Sequence, residues 1–570
     1  MSFLLDRFQE IWSVDFEFRE MDGDRPEPVC CVAMELRSGR KLRLWRDELP
    51  VEAPYSLERN SLFVAFSSAA EFSCHLVLGW GQPAAILDLY VEQRWLTNGK
   101  ELPESISLIR TLDYHGLKSR VSAEEKDGMH ARILRGGPWT REEQNDVLAY
   151  CETDVVSTAE LLAKTLPLLD LPRALLRGRY MYALAWLRHV GVPIDAGLLG
   201  RMKERWPVIK QGLIKQVGSA YGVYVDGSFS ERRLAAYLQR NSIPWPTLES
   251  GALALSDKTF ERMADRYPQL HDLRVLRDTL EKLSLSEFSI GKDRRNRGWF
   301  RPFWTVTGRN APSSAAHIFA ATSWVRSPVK PEPGFGICYL DWVQQEFGIA
   351  AKLSGDRAMM TAYQSGDSYL WFAKAARMVP QNATKTRHEL ERELAKQCTL
   401  GTQYEITEHG LAPRIGRSVE VARTLLWLHR ETFPTYWGWL DDVKSFTFLH
   451  GKQITVYGWQ RFLTELSCNH RSVGNFFSQG NGAEMLRLAI IFGTEAGVPI
   501  VMPMHDAVLV VSPLDQLDRD VQTMKQCMDQ ASELVLDRFR LRVEEKTFRY
   551  PDRYMCKKGE TFWAKVMKLL

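Results

Sequence analysis

The stretch FGICYLDWVQQEFG, residues 335–348, sets a carboxylate at the end of an apolar run. The run FGICYLDW predicts a buried β-strand that carries Asp341 near its end, and a helix is predicted to begin near Glu346. Asp341 is therefore a candidate cation ligand, and a second acid has to come from elsewhere in the chain.

A second acid interrupts two apolar runs near the end of the chain. In VPIVMPMHDAVLVVSP, residues 498–513, His505 and Asp506 separate two β-like runs, which predicts a hairpin with polar residues at its turn. Charges are costly to bury there unless they bind something. If Asp341 and Asp506 meet, they can hold two Mg²⁺ ions between a triphosphate and an attacking 3′-hydroxyl. A structural role is the alternative for a His-Asp pair taken alone.

Between these acids lies ELERELAKQCTLGTQYEI, residues 389–406. Arg392, Lys396, Leu400 and Tyr404 recur every four residues and form a slowly drifting stripe on one helical face. The two cations can grip phosphates, and the apolar and aromatic members offer a surface for base stacking. A cationic surface helix is the alternative.

The N-terminal region carries a separate set of acids. In VDFEF, Asp15 and Glu17 lie two apart, so on a strand both face the same side and repel each other unless cations lie between them. In LAYCETDVV, Tyr150 and Asp154 share a helix face and offer a further ligand and a phenol that orients water. A salt bridge or an edge strand is the alternative for the DxE pair alone.

Apolar patterning divides the chain. Residues 10–90 predict strands within an α/β unit, residues 142–169 predict a helix, and a boundary is expected near Leu171. Helices dominate from there to about residue 289.

Positive charge is concentrated in one segment. The whole chain has a net charge of +4, and the stretch 291–309 holds six basic residues against Asp293. Aromatic residues interleave with them, so we expect phosphate contacts there that do not read sequence, with a solvated loop as the alternative. The candidates are Arg294, Arg295 and Arg297.

Composition is that of an ordinary globular protein, with 45% hydrophobic and 25% charged residues. The nine cysteines show no zinc-ligand spacing, and no apolar stretch is long enough to span a membrane. We expect a cytoplasmic monomer without a membrane partner. No processivity factor is identified by the sequence.

Together, the C-terminal segments resemble the family A DNA polymerases over residues 180–570. Asp341 to Glu346 is similar to motif A (DYSQIELR in the family), the helical stripe to motif B, and His505-Asp506 to motif C (VHDE). This chain has Leu400, Glu405 and Ala507 where the family has an aromatic residue, Gly and Glu.

The resemblance implies a role for each residue. Asp341 and Asp506 would bind both catalytic metals, Arg392 and Lys396 would hold the triphosphate, and Lys396 would protonate the leaving pyrophosphate. Leu400, Tyr404 and Glu346 would contact the nucleotide, with Glu346 as the steric gate against a 2′-hydroxyl. The DNA contacts would be Arg309 of TVTGR, Arg471, Asn475, Gln479 and His505.

Residues 10–165 resemble the proofreading 3′–5′ exonucleases with DEDD-type carboxylates and the Tyr variant. This implies Asp15, Glu17 and Asp154 as metal ligands and Tyr150 as the residue that orients water. In VAFSSAAEFSCHLVLG, Glu71 stands where the family has Asp, and Asp88 is a competing or structural candidate.

These resemblances imply an α/β (α+β multidomain) fold: an RNase H-like exonuclease domain and a right-hand polymerase. The implied activity is template-directed addition of dNTPs to a primer 3′ end with 3′–5′ proofreading. Its partners are primer-template DNA and dNTPs, and its cofactors are two Mg²⁺ ions per active site, with Mn²⁺ as an alternative. The boundaries are 1–170 for the exonuclease-like domain and 171–570 for the polymerase domain, with thumb about 185–295, palm about 296–356 and 451–570, and fingers about 357–450.

Three alternatives stay open. A single-subunit RNA polymerase has a related palm, but Glu346 argues against it. A non-catalytic DNA-binding clamp serving the nuclease is disfavoured by Asp341, Asp506, Arg392 and Lys396. The exonuclease unit would be inert if Glu71 fails to complete its site.

Overall fold

The computed structural model describes residues 5–101, 106–282, 285, 288–312, 317–320, 322–464 and 470–570. The first unit has strands that alternate with helices. Its elements are β1 (Glu10–Arg19), β2 (Glu27–Glu35), β3 (Lys41–Trp45), β4 (Ser61–Ala65), α1 (Ala69–Leu78), β5 (Ile86–Asp88), α2 (Leu89–Thr97), α3 (Leu108–Tyr114), α4 (Ala123–Arg135) and α5 (Arg141–Thr165).

The five strands form one sheet in the order β3-β2-β1-β4-β5. β1, β2 and β3 pair antiparallel, whereas β4 and β5 run parallel to β1. The central strand β1 pairs with β4 only up to Ser13, so Asp15 and Glu17 lie beyond that pairing and face β2 alone, with helix α5 against β1 and β2. The predicted strands and the predicted helix over 142–169 are confirmed, although the helix itself ends at Thr165.

The middle region is mostly helical, as predicted. Its elements are α6 (Leu171–Val190), β6 (Val192–Pro193), α7 (Ala196–Glu204), α8 (Trp206–Gln216), β7 (Tyr224–Val225), β8 (Ser228–Phe229), α9 (Glu231–Arg240), α10 (Asp257–Arg266), α11 (His271–Lys282), β9 (Arg295–Asn296), β10 (Phe300–Arg301) and β11 (Ala311–Pro312).

Helix α6 begins at Leu171, where the boundary is expected. It packs against the first unit and against the C-terminal region. Tyr182 joins the core under β1, while Tyr180 joins the large core of the C-terminal region. Gly178 lies so close to β5 that an added Cβ would come within 2.1 Å of the Ile86 carbonyl oxygen, so only glycine fits there. The buried Arg177 guanidinium donates to both oxygens of Glu92 on α2 at 2.7 and 2.6 Å.

The C-terminal region contains a second sheet surrounded by helices. Its elements are β12 (Phe335–Trp342), α12 (Gln345–Ser354), α13 (Arg357–Gln364), α14 (Ser368–Ala375), α15 (Glu389–Gln403), α16 (Glu408–Ile415), α17 (Val419–Thr432), α18 (Pro434–His450), β13 (Lys452–Ile454), β14 (Gln460–Phe462), α19 (His470–Glu495), β15 (Ile500–Met504), β16 (Ala507–Pro513), α20 (Leu517–Val535), β17 (Val543–Arg549) and α21 (Lys557–Met567).

This sheet has the order β15-β16-β12-β17 and is antiparallel throughout. Side chains alternate between two cores: Leu340 and Val508 face the core that contains α19 and α20, and Ile337 and Leu509 face the other. Asp341 shares the face of Ile337, at the end of the strand. The sheet thus anchors the acid on a rigid, doubly packed element.

The α/β class predicted from the sequence is confirmed. No helix in the described ranges combines the length and the apolar character that crossing a membrane requires.

Candidate active sites

Asp341, on β12, lies beside the turn between β15 and β16 that carries Asp506. β12 pairs with β16 so that Asp341 faces Ala507, and the Trp342 N–H donates to the Asp506 carbonyl at 3.2 Å. Asp506 stands with His505 in the two-residue turn between β15 and β16, where His505 has a φ of +53°. A positive φ is the geometry that tight two-residue hairpin turns require.

The electrostatics of this pair fit a cation site. Burial, followed by the charges of Asp506 and Glu544, raises the pKa of Asp341 to about 7. Burial also raises the pKa of Asp506. One Asp341 oxygen is buried without a hydrogen-bond donor in the described part of the chain. An unpaired, desolvated carboxylate beside a second one is stabilised when a divalent cation binds.

Glu544 was not anticipated from the sequence. It is the cross-strand partner of Asp341 on β17, opposite the side taken by Ala507. Cross-strand partners point to the same face of a sheet, so Glu544 adds negative charge beside Asp341. No local pattern marks it, because VEEK contains two acids and only the strand register distinguishes them.

Glu346 contacts residues that are distant in the chain and that were predicted to bind DNA or the nucleotide. Its carboxylate accepts hydrogen bonds from Arg309 at 3.1 Å and from the Tyr404 hydroxyl at 2.9 Å. Tyr404 in turn receives a hydrogen bond from Gln479 at 3.4 Å. The TVTGR arginine, the start of α12 and the end of α15 therefore converge on one carboxylate.

The predicted stripe lies on α15, with its members half-buried or exposed. Arg392 pairs with Asp367 at 2.6 Å, and the Lys396 ammonium lies 3.3 Å from Glu393. Leu400 and Tyr404 are exposed. The cations precede the apolar and aromatic members along one face, in the order that phosphate and base contacts would need.

A cavity of about 380 Å³ separates the end of α15 from α19. Arg471, Asn475, Gln479 and Tyr404 line it, and so does Arg414 of α16, which was not anticipated. The Asn475 side-chain oxygen is buried without a hydrogen-bond partner among the described residues. His505 and Arg309 line a second cavity of about 480 Å³.

In the first unit, Asp15, Glu17 and Asp154 form a carboxylate cluster. One oxygen from each lies within 4.8 Å of the others, a spacing that suits a shared divalent cation. Burial and the neighbouring Asp154 charge raise the pKa of Asp15 to about 8. Burial and the Asp15 charge raise the pKa of Glu17 as well. The cluster is therefore costly without cations.

The cluster of Asp15, Glu17 and Asp154 does not include Glu71 or Asp88, the two candidates for the remaining ligand. The Glu71 carboxylate, on α1, accepts a hydrogen bond from the Phe16 N–H at 2.8 Å. Asp88 caps α2 through the Val91 N–H at 3.0 Å and binds the Ser68 N–H at 2.6 Å. Asp88 is held by several donors and therefore has a structural role. Glu71 accepts one backbone hydrogen bond, and burial followed by the Asp15 charge raises its pKa, so it lies beside the cluster and stays a candidate ligand.

Three more side chains face the cluster. Tyr150, a sequence candidate on α5, is buried, and its pKa is raised by burial and by Asp154. Lys126 of α4 lies 3.8 Å from Asp154, and the Cys151 thiol donates to Asp15 at 3.1 Å. The last two were missed, because a lysine in a polar helix and a cysteine beside a tyrosine carry no distinguishing pattern.

Asp15→Asn is expected to stabilise the cation-free protein by about 1–3 kcal/mol above pH 8. The folded-state pKa of Asp15 lies above its ordinary value of 3.8, so its favourable contribution is present at low pH and is lost as the pH rises through about 8. Thermal melts in EDTA at about pH 5 and about pH 9 measure this, and the difference between the proteins should widen with pH. A constant difference would contradict the assigned repulsion.

The basic segment requires a correction. Arg297 is buried and donates to Asp293 at 2.8 Å and to the carbonyls of Arg188 and Gly23 at 3.1 Å. Arg295 donates to the Val190 and Gly191 carbonyls at 3.2 Å. Both guanidinium groups are thus engaged within the protein, and Arg297 joins the first unit to the rest of the chain, so neither is available as a phosphate contact. Arg294 is exposed and stays a candidate.

Arg294→Gln is expected to reduce the slope of log affinity against log salt by about 0.9, the effect of one lost phosphate contact. Arg297→Gln should leave that slope unchanged and lower the unfolding free energy by about 1–3 kcal/mol, because it leaves the Arg188 and Gly23 carbonyls without their donor. Fluorescence anisotropy with duplex DNA over a salt series, with thermal melts, separates the two. An unchanged slope for Arg294→Gln would remove it from the interface.

Comparison with known proteins agrees with this geometry. The sequence model of DNA polymerase family A matches residues 258–548, just over half of the chain. "DNA polymerase I" of Chloroflexus aurantiacus is 24% identical over 305 residues, which are 49% of this chain and 32% of that protein. "DNA polymerase I, thermostable" of Thermus thermophilus is 25% identical over 225 residues, 37% of this chain and 27% of that protein. The matches thus span about a third or less of these relatives' lengths.

A solved structure extends the likeness to nearly the whole fold. The POL domain of Pol1 from M. smegmatis, in complex with DNA primer-template and dNTP, covers 94% of this chain and 95% of its own. Its TM-score is 0.71 at 18% identity, so the likeness concerns the fold.

Proposed function

Because the chain belongs to DNA polymerase family A, we propose that it is a template-directed DNA polymerase that adds dNTPs to a primer 3′ end. The observation that carries the proposal is the adjacency of Asp341 and Asp506 on β12 and the β15–β16 turn, within the region that the family model matches. The convergence of Arg309, Glu346 and Tyr404 beside them supports a nucleotide pocket at the same place.

Asp341 and Asp506 would hold the divalent cations, Mg²⁺ or alternatively Mn²⁺. Their raised pKa values and the unpaired Asp341 oxygen support this assignment. When bound, such cations neutralise the triphosphate charge and favour the ionised primer 3′-hydroxyl.

The other residues would bind and orient the reactants. Arg392 would exchange its contact with Asp367 for a phosphate, and Lys396 would hold the triphosphate and give a proton to the leaving pyrophosphate. Glu346 would fill the space that a ribose 2′-hydroxyl needs. Arg471, Asn475, Gln479, His505 and Arg309 would contact the primer-template, which the cavities that they line support.

Primer extension on a defined template with Mg²⁺ and either dNTPs or rNTPs tests the proposal. We expect template-directed extension with dNTPs and little with rNTPs. Extension with rNTPs alone would favour an RNA polymerase. DNA binding without extension by either nucleotide would favour a non-catalytic clamp.

A 3′–5′ proofreading exonuclease is a second activity that we propose for the first unit. The cluster of Asp15, Glu17 and Asp154 on a central strand and a facing helix supports it. The sheet order β3-β2-β1-β4-β5, with β4 and β5 parallel to β1, supports the RNase H-like assignment. Tyr150 would orient the attacking water.

The division into subdomains is also a proposal. Residues 1–170 would form the exonuclease domain and 171–570 the polymerase. The four-stranded sheet would be the palm, α7–α11 would fall in the thumb, and α13–α18 would make up the fingers.

A further inference from the structure

Glu405 has a backbone conformation that residues with a side chain rarely adopt. Its φ is +50°, and it directly follows Tyr404, the residue that ends α15. Left-handed backbone carries a steric cost for every residue with a Cβ atom, and glycine is the residue that adopts it freely. Surrounding contacts must therefore hold Glu405 in place.

Those contacts come from two other helices. Lys444 of α18 lies 2.7 Å from one Glu405 oxygen, and both side chains are only 16% exposed. The second oxygen is buried, with no hydrogen-bond donor in the described ranges. It rests against Gly474 of α19, where an added Cβ would approach it to 2.1 Å. Glu405 thus locks the end of α15 against α18 and α19.

The contacts of Glu405 also fix the position of the preceding residue, Tyr404. The Tyr404 hydroxyl donates to Glu346 at 2.9 Å, and Glu346 also accepts from Arg309 at 3.1 Å. A shift of the chain at Glu405 would move Tyr404 and remove one of these two donors. Discrimination at a sugar depends on sub-ångström placement of the excluding group, so such a shift would be felt there.

We propose that the Glu405–Lys444 ion pair is a positioning device for sugar selection. It fixes Tyr404 so that its hydroxyl holds the Glu346 carboxylate where a 2′-hydroxyl would lie. The inference rests on the proposed polymerase function and deepens it. Neither Glu405 nor Lys444 would touch the nucleotide, so both are positioning residues.

The test is a comparison of kcat/KM for a dNTP and its rNTP in single and double variants. Lys444→Met and Glu405→Gln should each lower the dNTP-over-rNTP ratio about tenfold, and the double variant should be no worse than either. Lys444→Arg keeps the charge and should keep the ratio. Arg430→Met is the matched control, because it removes the exposed 3.0 Å pair between Arg430 of α17 and Asp441 of α18, the helix that also carries Lys444.

Glu346→Ala supplies the reference for complete loss of the gate. Adding Lys444→Met to Glu346→Ala should change the ratio no further, since the pair acts through Glu346. A purely structural pair would lower both kcat/KM values equally and leave the ratio unchanged, which would overturn the inference. Additive losses in the double variant would overturn it too.

Primer extension by the wild-type protein separates the positioning role of the Glu405–Lys444 pair from the polymerase function itself. A wild-type protein that extends no primer refutes both. A wild-type protein that prefers dNTPs, with Lys444→Met showing the same ratio, refutes the positioning role alone. If Lys444→Met does not fold by thermal melt, Glu405→Ala takes its place, because it removes the carboxylate and keeps the Cβ atom that makes the left-handed conformation costly. The same loss of selectivity is expected from it, and an unchanged ratio counts against the pair.

Discussion

Asp506→Asn and Asp341→Asn are each expected to slow primer extension by at least about a thousandfold while the protein still binds primer-template. Asparagine keeps the size of the side chain and removes the negative charge that the cations need. Because Asp341 and Asp506 would each supply a separate carboxylate to the cations, neither can compensate for the other. Single-turnover extension with Mg²⁺ measures the rate, and anisotropy measures DNA binding.

The matched control for this experiment is Asp515→Asn. Asp515 is an exposed acid in the turn that follows β16, close in sequence to Asp506. It should extend primers at the wild-type rate. Extension by Asp506→Asn within about tenfold of the wild type would exclude the assigned cation site. Loss of DNA binding in both aspartate variants would instead indicate misfolding.

Asp15→Ala and Asp154→Asn are expected to reduce trimming of a mismatched 3′ end by at least about a hundredfold and to leave extension from a matched end unchanged. Each removes one carboxylate from a cluster of three, and the cluster lies in a different sheet from Asp341. Gel analysis of a labelled mismatched primer without dNTPs gives the trimming rate.

Asp146→Asn is the control for the nuclease experiment. Asp146 stands on α5 like Asp154, but it is exposed and pairs with Arg132 at 2.9 Å. Glu71→Gln should have a smaller effect than Asp15→Ala, since the Glu71 carboxylate binds the Phe16 N–H. Equal trimming by the wild type and Asp15→Ala would remove the cluster from the reaction. If Glu71→Gln loses trimming as completely as Asp15→Ala does, Glu71 is a cation ligand.

Local patterns predicted the elements that carry the acids. The apolar run before Asp341 is β12, and the two runs around His505-Asp506 are the strands of a hairpin with a two-residue turn. The four-residue spacing placed the stripe that begins at Arg392 along one helix. Each of these rests on a period of 2 or 3.6 residues, which the backbone itself imposes. The expectation that Asp341 and Asp506 meet then required only that these two elements pair.

What the sequence could not give were contacts set by the packing of distant elements. Arg297 has the composition of a DNA contact, yet its guanidinium is buried against carbonyls of α6 and of the first unit. Lys126 approaches Asp154 only because α4 packs near β1 and α5. Glu71 accepts a hydrogen bond from the Phe16 N–H because α1 packs against β1. Each depends on tertiary geometry that no local period encodes.

Helix α6 has a mechanical consequence. Since Tyr182 is buried under the first sheet and Tyr180 in the core of the second, one rigid rod is shared by both halves of the molecule. The Arg177–Glu92 ion pair and the close approach of Gly178 to Ile86 add further contacts between α6 and the first unit. Contacts on both sides of α6 would hold the two acid clusters at a fixed separation. If both proposed activities are present, an erroneous primer terminus would have to unpair and travel from one cluster to the other to be removed.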